Sequence, residues 1–170
     1  MDFTTLTKQR YSVRKFKEQK VEPEKLADIL EVARNAPTAH NYSPQHVFVI
    51  SSEEGLEKAD ACCQWHFAPP VMLVVAYEPD IAWHRKEDGK NYGEIDATIA
   101  LTQMMLQATA LGLGTVYIGM FEPDKLLAMF PEMQGMIPLA MIPLGYPADD
   151  AKPSVQHEKR RALEEIVTYL

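Results

Sequence analysis

Two arginines bracket a serine in the stretch Arg10-Tyr11-Ser12-Val13-Arg14-Lys15-Phe16. A guanidinium is a planar fork of N–H donors that matches the oxygens of a phosphate or a delocalised anion in pairs, and a serine hydroxyl adds a small donor between them. The chemistry that suits such a stretch is therefore anion holding. The same i, i+4 spacing also occurs on solvated helix faces, so taken alone the stretch leaves both readings open. Positive charge gathers again in the tail, at Lys152, His157, Lys159, Arg160 and Arg161. Composition there allows either a solvated basic segment or a further anion contact.

Two other stretches have the make-up of ligand contacts. Ala36-Pro37-Thr38-Ala39-His40-Asn41-Tyr42-Ser43-Pro44-Gln45 combines small residues, two prolines, amides and hydroxyls, which gives either a loop with its backbone open to a ligand or an ordinary connection. Leu113-Gly114-Thr115-Val116-Tyr117-Ile118-Gly119 reads as a strand entered and left through glycine, where a backbone can approach a ligand closely.

Other chemistries lack their residues. There is no G-x-G-x-x-G, no G-x-x-x-x-G-K-[ST] and no G-x-S-x-G, so the usual nucleotide loops and the hydrolase elbow are missing. The histidines, His40, His46, His66, His84 and His157, never pair at i, i+3 or i, i+4, and no metal is expected. Cys62 and Cys63 are adjacent, which suits neither a structural bridge nor a redox or zinc motif, and they are expected as reduced, packing thiols.

The elements that must position these groups follow from periodicity. With 170 residues, 46% hydrophobic and 24% charged, the chain is expected to form one domain over 1–170 with a sizeable core. Its net charge of −7 argues against nucleic acid or an anionic membrane held by bulk electrostatics, so any anion must meet a local cluster. The opening residues show no leader pattern, no apolar run is long enough to span a membrane, and a cytoplasmic protein is expected. Asp2 is placed to cap a short helix through Arg10. Pro23 opens an amphipathic helix to about Asn35, and a helix is expected from about Glu53 to Cys63. Val47–Ile50 and Val71–Ala76 read as strands buried on both faces. The polar segment from Glu78 to Lys90, carrying Trp83 and His84, reads as an exposed excursion. Gly93 to Leu111 is apolar nearly all round, with Glu94 and Asp96 in its first turn, where acids suit the helix dipole. Such a helix must be buried at the domain centre or at a subunit interface. A helix from Pro123 to about Phe130, a strand from Ile137 to Gly145, and a short apolar element at Leu163, Ile166 and Val167 close the chain. This order gives an α+β or α/β domain with a sheet of about four strands covered by helices.

Four local signals then line up with one family, in family order. The Arg10–Phe16 stretch resembles the R-x-S-x-R-x-F signature of the FMN-dependent nitroreductases, Ala36–Asn41 their A-P-[ST]-A-x-N loop, Gly112–Gly119 their G-L-G-T-x-x-I-G strand, and Leu144-Gly145-Tyr146-Pro147 their L-G-Y-P turn before a basic tail. The resemblance implies an α+β nitroreductase-like fold with a central mixed or antiparallel sheet, and a homodimer whose C-terminal segment reaches the partner subunit. It further implies FMN at the subunit interface. Arg10 and Ser12, with Tyr11 between them, would hold the phosphate end together with Lys159 and Arg160. Arg14 would lie near flavin N1 and O2, Pro37, Thr38, Ala39 and Asn41 would come from the partner subunit, and the backbone at Ile118 and Gly119 would face the ring.

The implied activity is transfer of hydride from NAD(P)H to a nitroaromatic, quinone or similar acceptor by ping-pong kinetics. Alternatives are a flavin-dependent dehydrogenase or dehalogenase on the same scaffold, a flavin-binding or storage module without turnover, or a site for a different phosphate ligand. The chain departs from the pattern at Asn41-Tyr42-Ser43-Pro44-Gln45, where many members read N-x-Q-P-W, and it is short for the helical insertion that covers the flavin in longer members.

Overall fold

In the computed structural model, which describes residues 2–170, the Asp2 side chain accepts from the Thr5 amide at 3.0 Å and starts helix α1, Phe3–Gln9, with Arg10 as its C-cap. Pro23 occupies the first turn of α2, Pro23–Arg34, where its missing N–H costs nothing. Ser52 caps α3, Glu53–Asp60, through the Gly55 amide. That helix stops short of the expected Cys63, because the chain turns at Ala61–Cys62 to bury both thiols. The longest helix, α4, runs Gly93–Ala110, and α5 runs Pro123–Met129. Gly112, at φ +77, takes the left-handed step that ends α4.

The sheet is antiparallel, with strands β1 (Gln45–Ile50), β2 (Val71–Tyr77), β3 (Gly114–Thr115) and β4 (Ile137–Gly145) in the order β1-β2-β4-β3. Alternation along β2 builds a core on each face. Val71, Leu73 and Val75 pack with α2 and α4, while Met72 and Val74 pack with Cys62, Leu126 and Met133 on the side of α3 and α5. The domain is thus α+β, a four-stranded sheet between two helical layers.

Two strand expectations are corrected. β1 lies at the sheet edge and is only partly covered, with Val49 exposed, so its apolar run does not mark a strand buried on both faces. β3 is two residues long rather than seven. Ile118 exchanges backbone hydrogen bonds with Met141 at 2.9 and 3.0 Å, so alternate β4 residues, Pro143 among them, turn their backbone nitrogens toward this edge. Pro143 has no N–H to give, and in the register set by Gly114–Gly145 it falls opposite Val116. The ladder breaks there, and the Val116–Tyr117 backbone is left out of the sheet.

Candidate active site

Beyond Arg10 the chain is extended, and it is stitched to the sheet edge by a run of backbone contacts. Ser12 bridges to Thr115 in parallel, the Val13 amide donates to the Thr115 carbonyl at 2.9 Å, and the Lys17 amide donates to the Tyr146 carbonyl at 2.9 Å. The period of two in extended chain puts Ser12 and Arg14 on one side and sends Val13 into the core, where it is 2% exposed. Gly114 makes that approach possible, since a Cβ there would lie 2.5 Å from Val13 Cγ2. The arginines therefore share a face because of a strand period at Ser12–Arg14 and a helix exit at Arg10, and not because of a helical i, i+4 repeat.

A cleft of about 250 Å³ is lined by Arg10, Tyr11, Ser12 and Arg14 from this stretch and by Ser154, Gln156, His157 and Arg160 from the tail. His157 docks the tail: its Nε2 lies 3.1 Å from the Lys8 carbonyl and its ring meets Tyr11 edge-on, with centroids 6.2 Å apart. Burial, and then the neighbouring Arg160 charge, push the Arg10 pKa below the ordinary guanidinium value. Among the described residues no carboxylate lies within ion-pair distance of Arg10, Arg14 or Arg160. Like charges drawn together with no carboxylate beside them are an arrangement able to hold an anion.

Arg14 also borders a second cavity, of about 280 Å³, with Ile118, Gly119 and the out-of-ladder Val116–Tyr117 backbone on one side and Trp65 and Phe67 on another. A flat group attached to an anion held at Arg10 and Arg160 would meet this cavity through Arg14. The structure thus brings together Arg10, Tyr11, Ser12, Arg14 and Arg160 in one cleft and Arg14, Ile118 and Gly119 in the next. Lys159 does not line the cleft; its side chain is exposed and its carbonyl accepts from Arg160 Nη1 at 2.9 Å. Composition could not separate these neighbours, because which of two adjacent tail cations turns inward depends on how His157 seats the chain.

Pro37, Thr38, Ala39 and Asn41 line neither cavity. Their loop is held in an unusual conformation, with His40, Asn41 and Ser43 all at positive φ, each a conformation that L-residues rarely adopt. Asp96 anchors it. This side chain, 2% exposed, accepts from the Ala39 amide at 3.0 Å through Oδ1, and its Oδ2 is buried with no protein partner. The Thr38 hydroxyl accepts from the Ser43 amide at 3.0 Å, and the His40 ring stacks on Trp83 with centroids 5.1 Å apart. The Glu78–Lys90 excursion is accordingly docked at Trp83, which is half-buried against His40 and Tyr92. The sequence reading missed Asp96: as an acid in a first helical turn it looked like a surface partner of the dipole. Sequence did not separate it from Glu94 in the same turn, which is exposed where Asp96 is buried.

Both thiols are buried, and burial pushes their pKa values up, which keeps them protonated and inert. No group of side chains fit to hold a metal ion occurs among the described residues, and no helix there is long and apolar enough to cross a membrane.

Known proteins share this fold. A crystal structure of a nitroreductase family protein from Clostridium difficile 630 matches over 99% of this chain and 98% of its own, with a TM-score of 0.92 and 39% identity. A Bacillus subtilis (strain 168) protein named FMN reductase (NAD(P)H) is 28% identical over 179 residues, 94% of this chain and 71% of its own length. A protein from Exiguobacterium sibiricum 255-15, solved in complex with FMN, has the same fold at a TM-score of 0.84 and 22% identity, over 100% of this chain and 98% of its own. The model of the nitroreductase family matches residues 7–67 and 58–146, which together span most of the sequence. On that match, and on the likeness to the Clostridium difficile protein, the chain belongs to the nitroreductase family.

Proposed function

We propose that this protein is an FMN-dependent oxidoreductase that takes hydride from NAD(P)H and passes it to a nitroaromatic, a quinone or a similar small acceptor by ping-pong kinetics. The observation that carries this reading is a pair of cavities that share Arg14 in their linings: a cationic cleft without a carboxylate partner among the described residues, and a second space beside Gly119 lined by Trp65 and Phe67. FMN has that shape, a phosphate at one end and a flat ring at the other, and the names of relatives point to the same cofactor and reductant.

FMN would supply the hydride chemistry when bound, accepting two electrons from the nicotinamide and releasing them to the acceptor. The protein's part is to hold and tune. Arg10, Ser12 and Arg160 would hold the phosphate through charge-assisted hydrogen bonds. Arg14 would set a fixed cation beside the ring, where it would favour the negative charge that reduction brings. Its Nη1 donates to the Ser12 carbonyl at 3.2 Å, so the guanidinium is oriented from within the same stretch. No acid–base triad is required of the side chains.

The reading includes a homodimer. Pro37, Thr38, Ala39 and Asn41 line neither cavity of their own chain, as is expected of residues that serve the partner's site. The tail ends in exposed apolar side chains, with Leu163 61%, Ile166 62% and Tyr169 91% exposed, a surface that a partner subunit would cover. The test is anaerobic reduction of the purified, FMN-loaded protein: NAD(P)H bleaches the flavin absorbance, and a nitroaromatic or quinone restores it. Flavin that stays oxidised in the presence of both NADH and NADPH would replace this reading with a binding or storage module.

A further inference from the structure

A further cavity, of about 420 Å³, opens beside α3 and shares no lining residue with the two described above. Its floor is apolar, made by Leu56 of α3, Met72 of β2, Ala68 and Pro69, with Met72 only 3% exposed. Its rim is acidic. Glu53, Glu57 and Asp60 stand on the face of α3 that also carries Leu56, one turn apart at Glu53 and Glu57. These acids differ in their partners. Away from the cavity Glu54 pairs with Lys58 at 2.6 Å, and at the cavity Asp60 Oδ2 lies 2.6 Å from His66 Nδ1. Among the described residues Glu53 and Glu57 have no cation within ion-pair distance. Like charges at i, i+4 repel along a helix, and a cation between them would relieve that repulsion.

What complements such a cavity is a positive charge on an apolar body. A bare metal ion does not fit, because the described residues hold no group of side chains suited to one and the floor is carbon and a single thioether. An anion would meet two carboxylates, and a neutral apolar molecule would leave them unpaired. We propose that this cavity is a binding site for a small amphipathic amine, its ammonium between Glu53 and Glu57 and its hydrocarbon part over Leu56, Pro69 and Met72. The cavity has the character of a small-molecule pocket, mostly apolar with a few polar groups at one end to set orientation. An ammonium carries three N–H donors, enough to serve two carboxylates at once. Met72, unbranched and polarisable, lets the floor adapt to hydrocarbon of different shapes. The site is separate from the flavin chemistry: His66 and Ala68 face this cavity, whereas Trp65 and Phe67 face the one beside Gly119.

The experiment is calorimetric titration of the full chain in low-salt buffer, with FMN in excess throughout, using cyclohexylethylamine, cyclohexylethanol and cyclohexylacetic acid as probes. The amine is expected to bind about tenfold more tightly than the alcohol, the worth of a hydrogen bond to a charged group, and the acid more weakly than either. In the Glu53→Gln, Glu57→Gln double variant, whose substitutions are exposed and leave the fold intact, the amine and alcohol should converge to within about twofold. Ala68→Leu, which puts a larger side chain at the exposed Ala68 wall, should weaken both. Equal binding of amine and alcohol by the wild type overturns the proposal, as does a preference for the amine that survives the double variant, or binding of both that is unchanged in Ala68→Leu. These variants lie outside both flavin cavities, so their readout stands whether or not the protein holds FMN.

Discussion

The cleft at Arg10 and the loop at Pro37–Asn41 are fixed by different physics. Around Arg10 the chain keeps ordinary extended or helical backbone, and the site arises from side-chain charge, with Arg10, Arg14 and Arg160 lacking carboxylate partners among the described residues. Around Asn41 there is little charge, and the feature is the backbone itself, bent through three positive-φ residues and pinned by the buried Asp96. A charged cleft can be emptied by removing a charge. A bent loop is released by removing its anchor, and the side chains on the loop matter less than the buried carboxylate behind it.

The largest effect should come from the charged region. Arg10→Ala is expected to raise the Kd for FMN by roughly ten- to a hundredfold, the worth of one hydrogen bond to a charged group, as read by fluorescence titration of the apoprotein. Arg160→Ala should behave alike, whereas Lys159→Ala, outside the cleft, should change binding by less than about twofold, as surface substitutions do. An equal loss in Lys159→Ala would mean that the tail seats differently around the cofactor.

Next is the seam that carries the charged stretch. Gly114→Ala drives a methyl group to within 2.5 Å of Val13 Cγ2, and Val13, a β-branched core residue, has no soft way to move. Overpacking of this kind should cost about 1–3 kcal/mol in urea denaturation and weaken FMN binding in the same variant. Stability equal to wild type would show that the Arg10–Arg14 stretch is not tied to the sheet edge as described.

On the loop side, Asp96→Ala should raise the FMN Kd by about fivefold, one hydrogen bond's worth, while Asp96→Asn, which keeps an acceptor for the Ala39 amide, stays near wild type. Hydrogen exchange at Ala39–Ser43 should quicken in the alanine variant alone. Faster exchange without weaker binding would detach the loop from the cofactor.

The smallest effect is at the end of the helix that leads into the loop. Arg34, then Asn35, hold the Glu31 carboxyl down to about 2. A carboxyl that titrates lower in the folded than in the unfolded state stabilises fully above the ordinary glutamate range and loses that contribution as pH falls toward its folded value. Glu31→Gln should therefore flatten the fall in stability between about pH 5 and pH 2 and change little at pH 7, because this pair is exposed.

The two regions also differ in how far sequence revealed them. Residue type nominated Arg10, Ser12 and Arg14 only in company, because the stretch alone also suits a solvated basic face and the three further motifs of the resemblance weighed against that. Periodicity gave α2, α4 and the fully buried β2, since their apolar repeats are long. What escaped were features set by a distant neighbour. β3 ends early because of Pro143 on another strand, and β1 is half-covered because of its place at the edge. Asp96 is an anchor because Ala39 lies beside it in space, and nothing in the spacing of fifty-seven residues signals that. Trp65 and Phe67 belong to no motif in the sequence, and only the folded chain sets them on one cavity and His66 on another.

The central claim is that Arg10 and Arg160 hold a phosphate that is one end of a flavin. It is tested most directly by titrating the apoprotein with FMN and with riboflavin, which carries the same ring and lacks the phosphate. FMN should bind about a hundredfold more tightly, as expected for two charge-assisted contacts, and that ratio should shrink toward one in the Arg10→Ala, Arg160→Ala double variant. Equal affinity for the two flavins in the wild-type protein would contradict the account.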